Sequence, residues 1–261
     1  MNIILLDMEN APSISEGLSQ KFAAEANKYT YPVLVKYNES AFSLFGTCVA
    51  IAISGKKFIC TASHLINEIS KANAEIVIPI QGKFHSVNSV DAQHLSEDGT
   101  DYDVCLLEIK EEIAGISYID RFNTFKGDKF HGSSRQYLQG FPIAKNKKWD
   151  IHNHKNKTIQ TGYLGVVLKV DQTLTIPFDM IYPESHFIFE LDAGAYKKGG
   201  NDFVLSKRQS MPGLVGLSGC GLWNCYDILI PSTLFFAGIF INHKKGVGAA
   251  TKAKHIERLC K

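Results

Sequence analysis

From Tyr31 onward the chain is broken into short runs rich in Val, Ile, Phe, Tyr and Thr, and this texture limits its fold more than any other feature. YPVLVKY, GTCVAIAI, KKFICTA, AEIVIPI, KFHSVNSV and DVCLLEI are each of strand length, and Gly, Asn, Lys or Asp separate them. Several alternate polar and apolar residues, as half-buried strands do, and β-branched and aromatic side chains suit a pleated surface. After a loop-like stretch near Phe125 to Ser134 the pattern resumes in RQYLQGFPI, TIQTGYLGVVLKV, QTLTIPF, SHFIFELD, CGLWNCYDILI, TLFFAGIFI and VGAAT. Few helical patterns intervene, which argues against alternating βαβ units and for an all-β barrel or sandwich. Two groups of about six strands predict two β lobes, over residues 31–120 and 121–261, with the boundary near Gly115 to Arg135.

Two helices are expected at the ends. Ser13 to Asn27 begins with serines suited to capping, and Ile14, Leu18 and Phe22 recur at four-residue spacing, so residues 1–30 read as a helical extension. Thr251 to Lys261 predicts a short terminal helix with Ile256, Leu259 and Cys260 on its inner side.

Net charge is +2 over 261 residues, so no strong field draws the chain to nucleic acid or membrane. The lysines at Lys145 to Lys148, Lys155, Lys157, Lys197, Lys198, Lys244 and Lys245 read as solvated loops. No apolar run approaches the ~18 residues of a membrane helix, and MNIILLDMENAPS lacks the basic start and apolar length of an export signal. The cysteines (Cys48, Cys60, Cys105, Cys220, Cys225, Cys260) sit mostly in apolar runs and read as reduced thiols, so a cytoplasmic setting is expected.

Three segments carry chemistry. The run Gly216-Leu217-Ser218-Gly219-Cys220-Gly221 holds one hydroxyl on a glycine-punctuated turn, a setting in which a serine can attack a carbonyl while nearby amides stabilise the oxyanion. In KKFICTASHLI an apolar strand ends in small residues, then His64, then a helix-like pattern; a satisfied core histidine is the plainer reading of that segment alone. Pairing Cys60 with His64 around zinc lacks further ligands at a suitable spacing. Asp103 opens the apolar run Val104 to Leu107, where a carboxylate needs hydrogen bonds to be tolerated, and holding an imidazole supplies them. Asp101 competes, but belongs to the polar connector Ser96 to Tyr102. The remaining histidines, among them His85 and His94 in polar connectors and His255 in the terminal helix, read as surface residues.

In the order His64, Asp103, Ser218, these segments resemble a trypsin-like serine peptidase of the chymotrypsin fold, of the intracellular bacterial type. GTCVAI followed by KKFICTASH is similar to that family's strands leading into T-A-A-H. DVCLLEI is similar to D-I-A-L-L-x-L, GLSGCGLW to G-D-S-G-G-P, FFAGIFI to the L-V-G-I strand and YLQGFP to G-[YF]-P. The matches run from about Val33 to Thr251. The resemblance implies two six-stranded antiparallel β-barrels with the cleft between them. It also implies a serine endopeptidase acting through an acyl-enzyme: Ser218 as nucleophile, His64 as base and then acid, Asp103 orienting the imidazole, and the amides of Gly216 and Ser218 as oxyanion hole. Pro212, Ile241, Asn242 and His243 would line the substrate pocket, where no acidic residue calls for Lys or Arg. The substrate would be a protein or peptide, a regulatory protein partner is conceivable, and no metal or organic cofactor is called for.

The chain departs from the family at three places. Leu217 stands where the family has the aspartate that pairs with a freshly cleaved N-terminus, Cys220 replaces a glycine, and no cysteine follows His64. An α/β-hydrolase is rejected because its acid and histidine follow the serine. A cysteine protease using Cys220 is disfavoured because the glycines centre on Ser218. The serious alternative is a protease fold kept as a catalytically silent binding or scaffolding module.

Overall fold

A computed structural model of the chain describes residues 2–5, 23–38, 41–81, 83–87, 91–97, 99–122, 135–143, 164–169, 181–190, 215–225, 234–244 and 246–260. In chain order, β1 (Asn2–Leu5) and a helical segment at residues 23–27 (α1) precede the first complete sheet. That sheet is built from β2 (Thr30–Asn38), β3 (Ala41–Ile53), β4 (Lys56–Ala62), β5 (Glu75–Ile80), β6 (Lys83–Val87), β7 (Ala92–Glu97) and β8 (Thr100–Glu108). Helix α2 (Ser63–Lys71) follows β4 directly. The second sheet comprises β9 (Arg135–Gly140), β10 (Leu164–Lys169), β11 (His186–Glu190), β12 (Gly221–Cys225), β13 (Leu234–Lys244) and β14 (Val247–Lys252), joined by β1. Helix α3 (Ala253–Leu259) ends the described chain.

The strand orders are β6-β5-β2-β3-β4-β8-β7 and β1-β10-β9-β12-β13-β14-β11. All pairs are antiparallel except β1 with β10. The all-β, two-sheet character therefore agrees with the sequence, and helices are few. The strand count differs: among the described residues each sheet has seven strands rather than six, and no pairing closes either sheet into a barrel.

The extra strands have physical explanations. β7 buries only Leu95 among its six residues, so it lacks the apolar alternation that marks a strand in sequence, whereas β6 falls in the expected run KFHSVNSV although it buries only Val87. His85 and His94 thus lie on strands, and the supposed connector before Tyr102 is a β7–β8 hairpin that turns at Gly99 with φ +79°. β1 lies in the segment read as helical, pairing Asn2 to Leu5 with Leu164 to Val167. Of the expected N-terminal helix, residues 23–27 are helical and the stretch holding Ile14, Leu18 and Phe22 falls outside the described residues, as does QTLTIPF.

One core spans both sheets. Val49, Ile51, Phe58, Cys60, Val104 and Leu106 from the first meet Tyr137, Trp223, Phe236 and Ile239 from the second and Ile256 of α3, all buried. Leu259 and Cys260 of α3 pack against the same core, on the inner side that the terminal pattern predicts. Residues 109–122 cross between the sheets and are stitched to both: Ile119 exchanges backbone hydrogen bonds with Ala50 and Ala52, and Phe236 N–H donates to Arg121.

Candidate active site

The geometry begins at the junction of β4 and α2. Leu65, Ile66 and Ile69 form the buried face of α2, at the spacing of one helical stripe, and Ala62 at its N-cap has no side-chain acceptor to offer. The first backbone N–H groups of a helix have no partner inside it. The carboxylate of Asp103 supplies one: its Oδ1 accepts the His64 backbone N–H at 2.9 Å. Its Oδ2 lies 2.7 Å from His64 Nδ1. Because an ionised carboxylate can only accept, Nδ1 carries the proton and Nε2 is left with its lone pair free to act as base. Burial pulls the His64 imidazole towards neutrality, but the hydrogen bond and charge of Asp103, with Glu68 adding to them, hold it above its usual 6.5.

Strand alternation would aim Asp101 and Asp103 at one face. The structure breaks that rule: Asp103 has φ +50°, a left-handed conformation that Asp tolerates better than most residues. Asp101 Oδ1 accepts the Asp103 N–H at 2.8 Å, closing the kink from one side. From the other sheet, Thr251 Oγ1 donates to the Tyr102 carbonyl at 2.6 Å. The Tyr102 side chain is buried, with its hydroxyl on Glu97 and its ring stacked on His255 at 5.2 Å. His255 is half-buried there rather than simply surface, and His94 reaches the Ser63 hydroxyl at 3.0 Å beside His64.

Ser218 sits on a turn closed by Cys220 N–H donating to the Leu217 carbonyl at 2.9 Å. Gly219, third in that turn, has φ +83°, where a left-handed residue is required. It is also pressed against the other sheet: a Cβ there would stand 2.1 Å from both the Thr47 carbonyl and Thr61 Oγ1. Thr61 lies three residues before His64. The Ser218 carbonyl accepts the Thr47 N–H at 3.0 Å, and Gly46 lies between that carbonyl and Leu65. The serine turn is thus docked onto the ends of β3 and β4 beside the histidine, and Ser218 is half-buried. The His64 ring bonds to Asp103 and, among the described residues, not to the Ser218 hydroxyl.

The amide of Gly216 can also be placed. Ile143 N–H donates to the Val215 carbonyl at 2.8 Å. In a planar trans peptide the C=O and N–H point in opposite directions, so the Gly216 N–H faces away from Ile143. Leu217 is fully buried, and its side chain lies with Cys220 and Thr47 against Gly140. Apolar packing therefore fills the place in which the resembling family has a carboxylate. Cys220 is fully buried, and burial pushes its thiol well above the usual range, so it holds almost no thiolate with which to attack.

Of the other expected site residues, Ile241 is buried in the shared core at an irregularity in the β13–β14 pairing. Asn242 is exposed and its side chain accepts the His243 N–H, while the half-buried His243 ring stacks on Phe240. Pro212 lies outside the described residues. Among the described residues no group of three or more His, Cys, Asp or Glu could hold a metal ion, and no helix is long and apolar enough to cross a membrane.

No protein-family model matches the chain, and neither does any curated protein. Among solved structures it is similar to a serine protease of human pathogenic astrovirus, at 10% identity and a TM-score of 0.44, over 86% of this chain and 89% of that one.

Proposed function

We propose that this chain is a trypsin-like serine endopeptidase that cleaves peptide bonds through an acyl-enzyme. Ser218 is the nucleophile, His64 the general base and then acid, and Asp103 the group that fixes the imidazole tautomer. The observation that carries the reading is the two-point hold of Asp103 on His64, through backbone N–H and ring Nδ1 at once. A core histidine needs one acceptor; a catalytic one must keep Nε2 free and aimed, which a two-point hold does. The serine turn docked against Gly46 and Thr61 supports the assignment of Ser218. The absence of a hydrogen bond between Ser218 and His64 is compatible with it, because such bonds are often long without substrate. The amides of Gly216 and Ser218 form the oxyanion hole in this reading. The free thiols at Cys48, Cys60, Cys105, Cys220 and Cys260 favour a reducing, cytoplasmic setting.

The scaffold reading has one observation on its side, the loss of the family's charged residue at Leu217. Labelling with a fluorophosphonate separates the two. The enzyme reading expects wild type to label covalently and Ser218→Ala not to; equal, negligible labelling of both would leave a binding module.

A further inference from the structure

Thr47, in β3, is fully buried, and every polar group it has is used. Its N–H donates to the Ser218 carbonyl at 3.0 Å. Its carbonyl accepts the Thr61 hydroxyl at 2.7 Å. Its own hydroxyl donates to the Gly216 carbonyl at 2.9 Å and accepts the Phe141 N–H at 2.9 Å. A hydroxyl has one hydrogen, so with that hydrogen on Gly216 the Phe141 bond must use a lone pair, and its rotation is fixed. From Phe141 the chain runs two residues to Ile143, whose N–H holds the Val215 carbonyl at 2.8 Å. The result is a closed circuit: Thr47 to Gly216 directly, and Thr47 to Val215 by way of Phe141 and Ile143. Both peptide groups flanking the Gly216 Cα are clamped by it, one of them bearing the Gly216 N–H.

The circuit is also crowded. A Cβ on Gly140 would stand 3.0 Å from Thr47 Oγ1, and one on Gly216 would stand 2.8 Å from Ile143 N and from the Phe141 carbonyl. Gly216 itself has φ +94°. Glycines therefore allow the approach, and the threonine hydroxyl converts it into a fixed shape. We propose that Thr47 is a positioning residue that sets the Gly216–Ser218 turn in its working form, so that the site is built in the folded chain without a further activating event. The proposal rests on the peptidase reading above, with Gly216 N–H as oxyanion donor.

The test compares Thr47→Val, which keeps the shape and removes the hydroxyl, with Thr47→Ser, which keeps the hydroxyl. The readouts are fluorophosphonate labelling rate, its pH profile, and amide hydrogen exchange over residues 215–220. Thr47→Val is expected to label about a hundredfold more slowly, the scale of a small misplacement of catalytic groups. Thr47→Ser should stay within a few-fold of wild type, and neither should move the pH midpoint, which belongs to His64. Exchange should rise in Thr47→Val alone. If Thr47→Val does not fold, Thr47→Ala takes its place. Labelling of Thr47→Val at the wild-type rate, or equal loss in the valine and serine variants, overturns the proposal. If wild type itself fails to label, the peptidase reading falls separately, and exchange still decides whether Thr47 clamps the turn: unchanged exchange in Thr47→Val overturns the clamp.

Discussion

Replacing Asp103 by Asn tests the site most directly, because the structure dictates how the new side chain must sit. The carboxylate accepts twice, from His64 N–H at 2.9 Å and from Nδ1–H at 2.7 Å. An amide has one oxygen. With that oxygen on the backbone N–H, its NH₂ faces Nδ1, which must then give up its proton; the proton moves to Nε2, and the ring can no longer accept one from Ser218. Turned the other way, the amide sets two donors face to face at the start of α2 and loosens the helix that carries His64. The first arrangement removes the base, and the second keeps its tautomer but loosens its position. The expected fall in turnover is about 10⁴-fold, or roughly 5.5 kcal/mol of barrier at 1.36 kcal/mol per tenfold.

Fluorophosphonate labelling measures this without a known substrate, and a pH series adds the sign. In wild type the pKa of His64 is held above 6.5, so labelling should rise with pH through a midpoint above that value. Any stabilisation from the protonated pair is complete below about pH 6.5 and is lost as pH rises through the raised pKa. In Asp103→Asn burial, the largest influence on the ring, is opposed only by the charge of Glu68, so the residual rate should have its midpoint below that of wild type. Wild-type labelling and an unmoved midpoint in Asp103→Asn would refute the assignment of Asp103 as the orienting acid.

Further outcomes follow from neighbouring contacts. Asp101→Ala removes the acceptor on the Asp103 N–H at a residue with φ +50°, and labelling should fall about tenfold if the strained backbone, worth of order 1–3 kcal/mol, relaxes; Asp101→Asn keeps an acceptor oxygen and should retain most of the rate. Gly219→Ala drives a Cβ into the Thr47 carbonyl at an unfavourable φ, and thermal melts should show a loss of about 3 kcal/mol or more, with an unchanged melt counting against the docked turn. Cys220→Ala should cost about 1 kcal/mol in stability and leave labelling within a few-fold of wild type, because the thiol is buried and protonated.

The features legible in the sequence are those written as local patterns. KKFICTASHLI encodes a strand, a stop and an amphipathic helix in eleven consecutive residues, and the structure turns it into β4, α2 and a histidine at their junction. Asp103 could be chosen over Asp101 because it abuts the apolar run. What could not be read is how Asp101 takes part: the left-handed backbone at Asp103 sets the two carboxylates to different tasks, and no alternation rule anticipates it. β7 was hidden because a strand with a single buried residue carries little pattern. Thr47 was invisible for the opposite reason. One polar residue inside a buried strand looks like any β-former until the partners of its hydroxyl, 94 and 169 residues away, are in place.

The hydrogen bond from Thr251 to the Tyr102 carbonyl has a consequence for the order in which the chain becomes competent. Tyr102 lies between the two aspartates, so the backbone that presents Asp103 is pinned by a residue 149 positions further along the chain. A nascent chain can complete β2 to β8 and bury their inner faces, yet this pin exists only after β14 has been made and docked. Maturation of the His64–Asp103 pair is thereby tied to formation and docking of the second sheet, and a first sheet folded by itself would hold its aspartate and histidine without this pin.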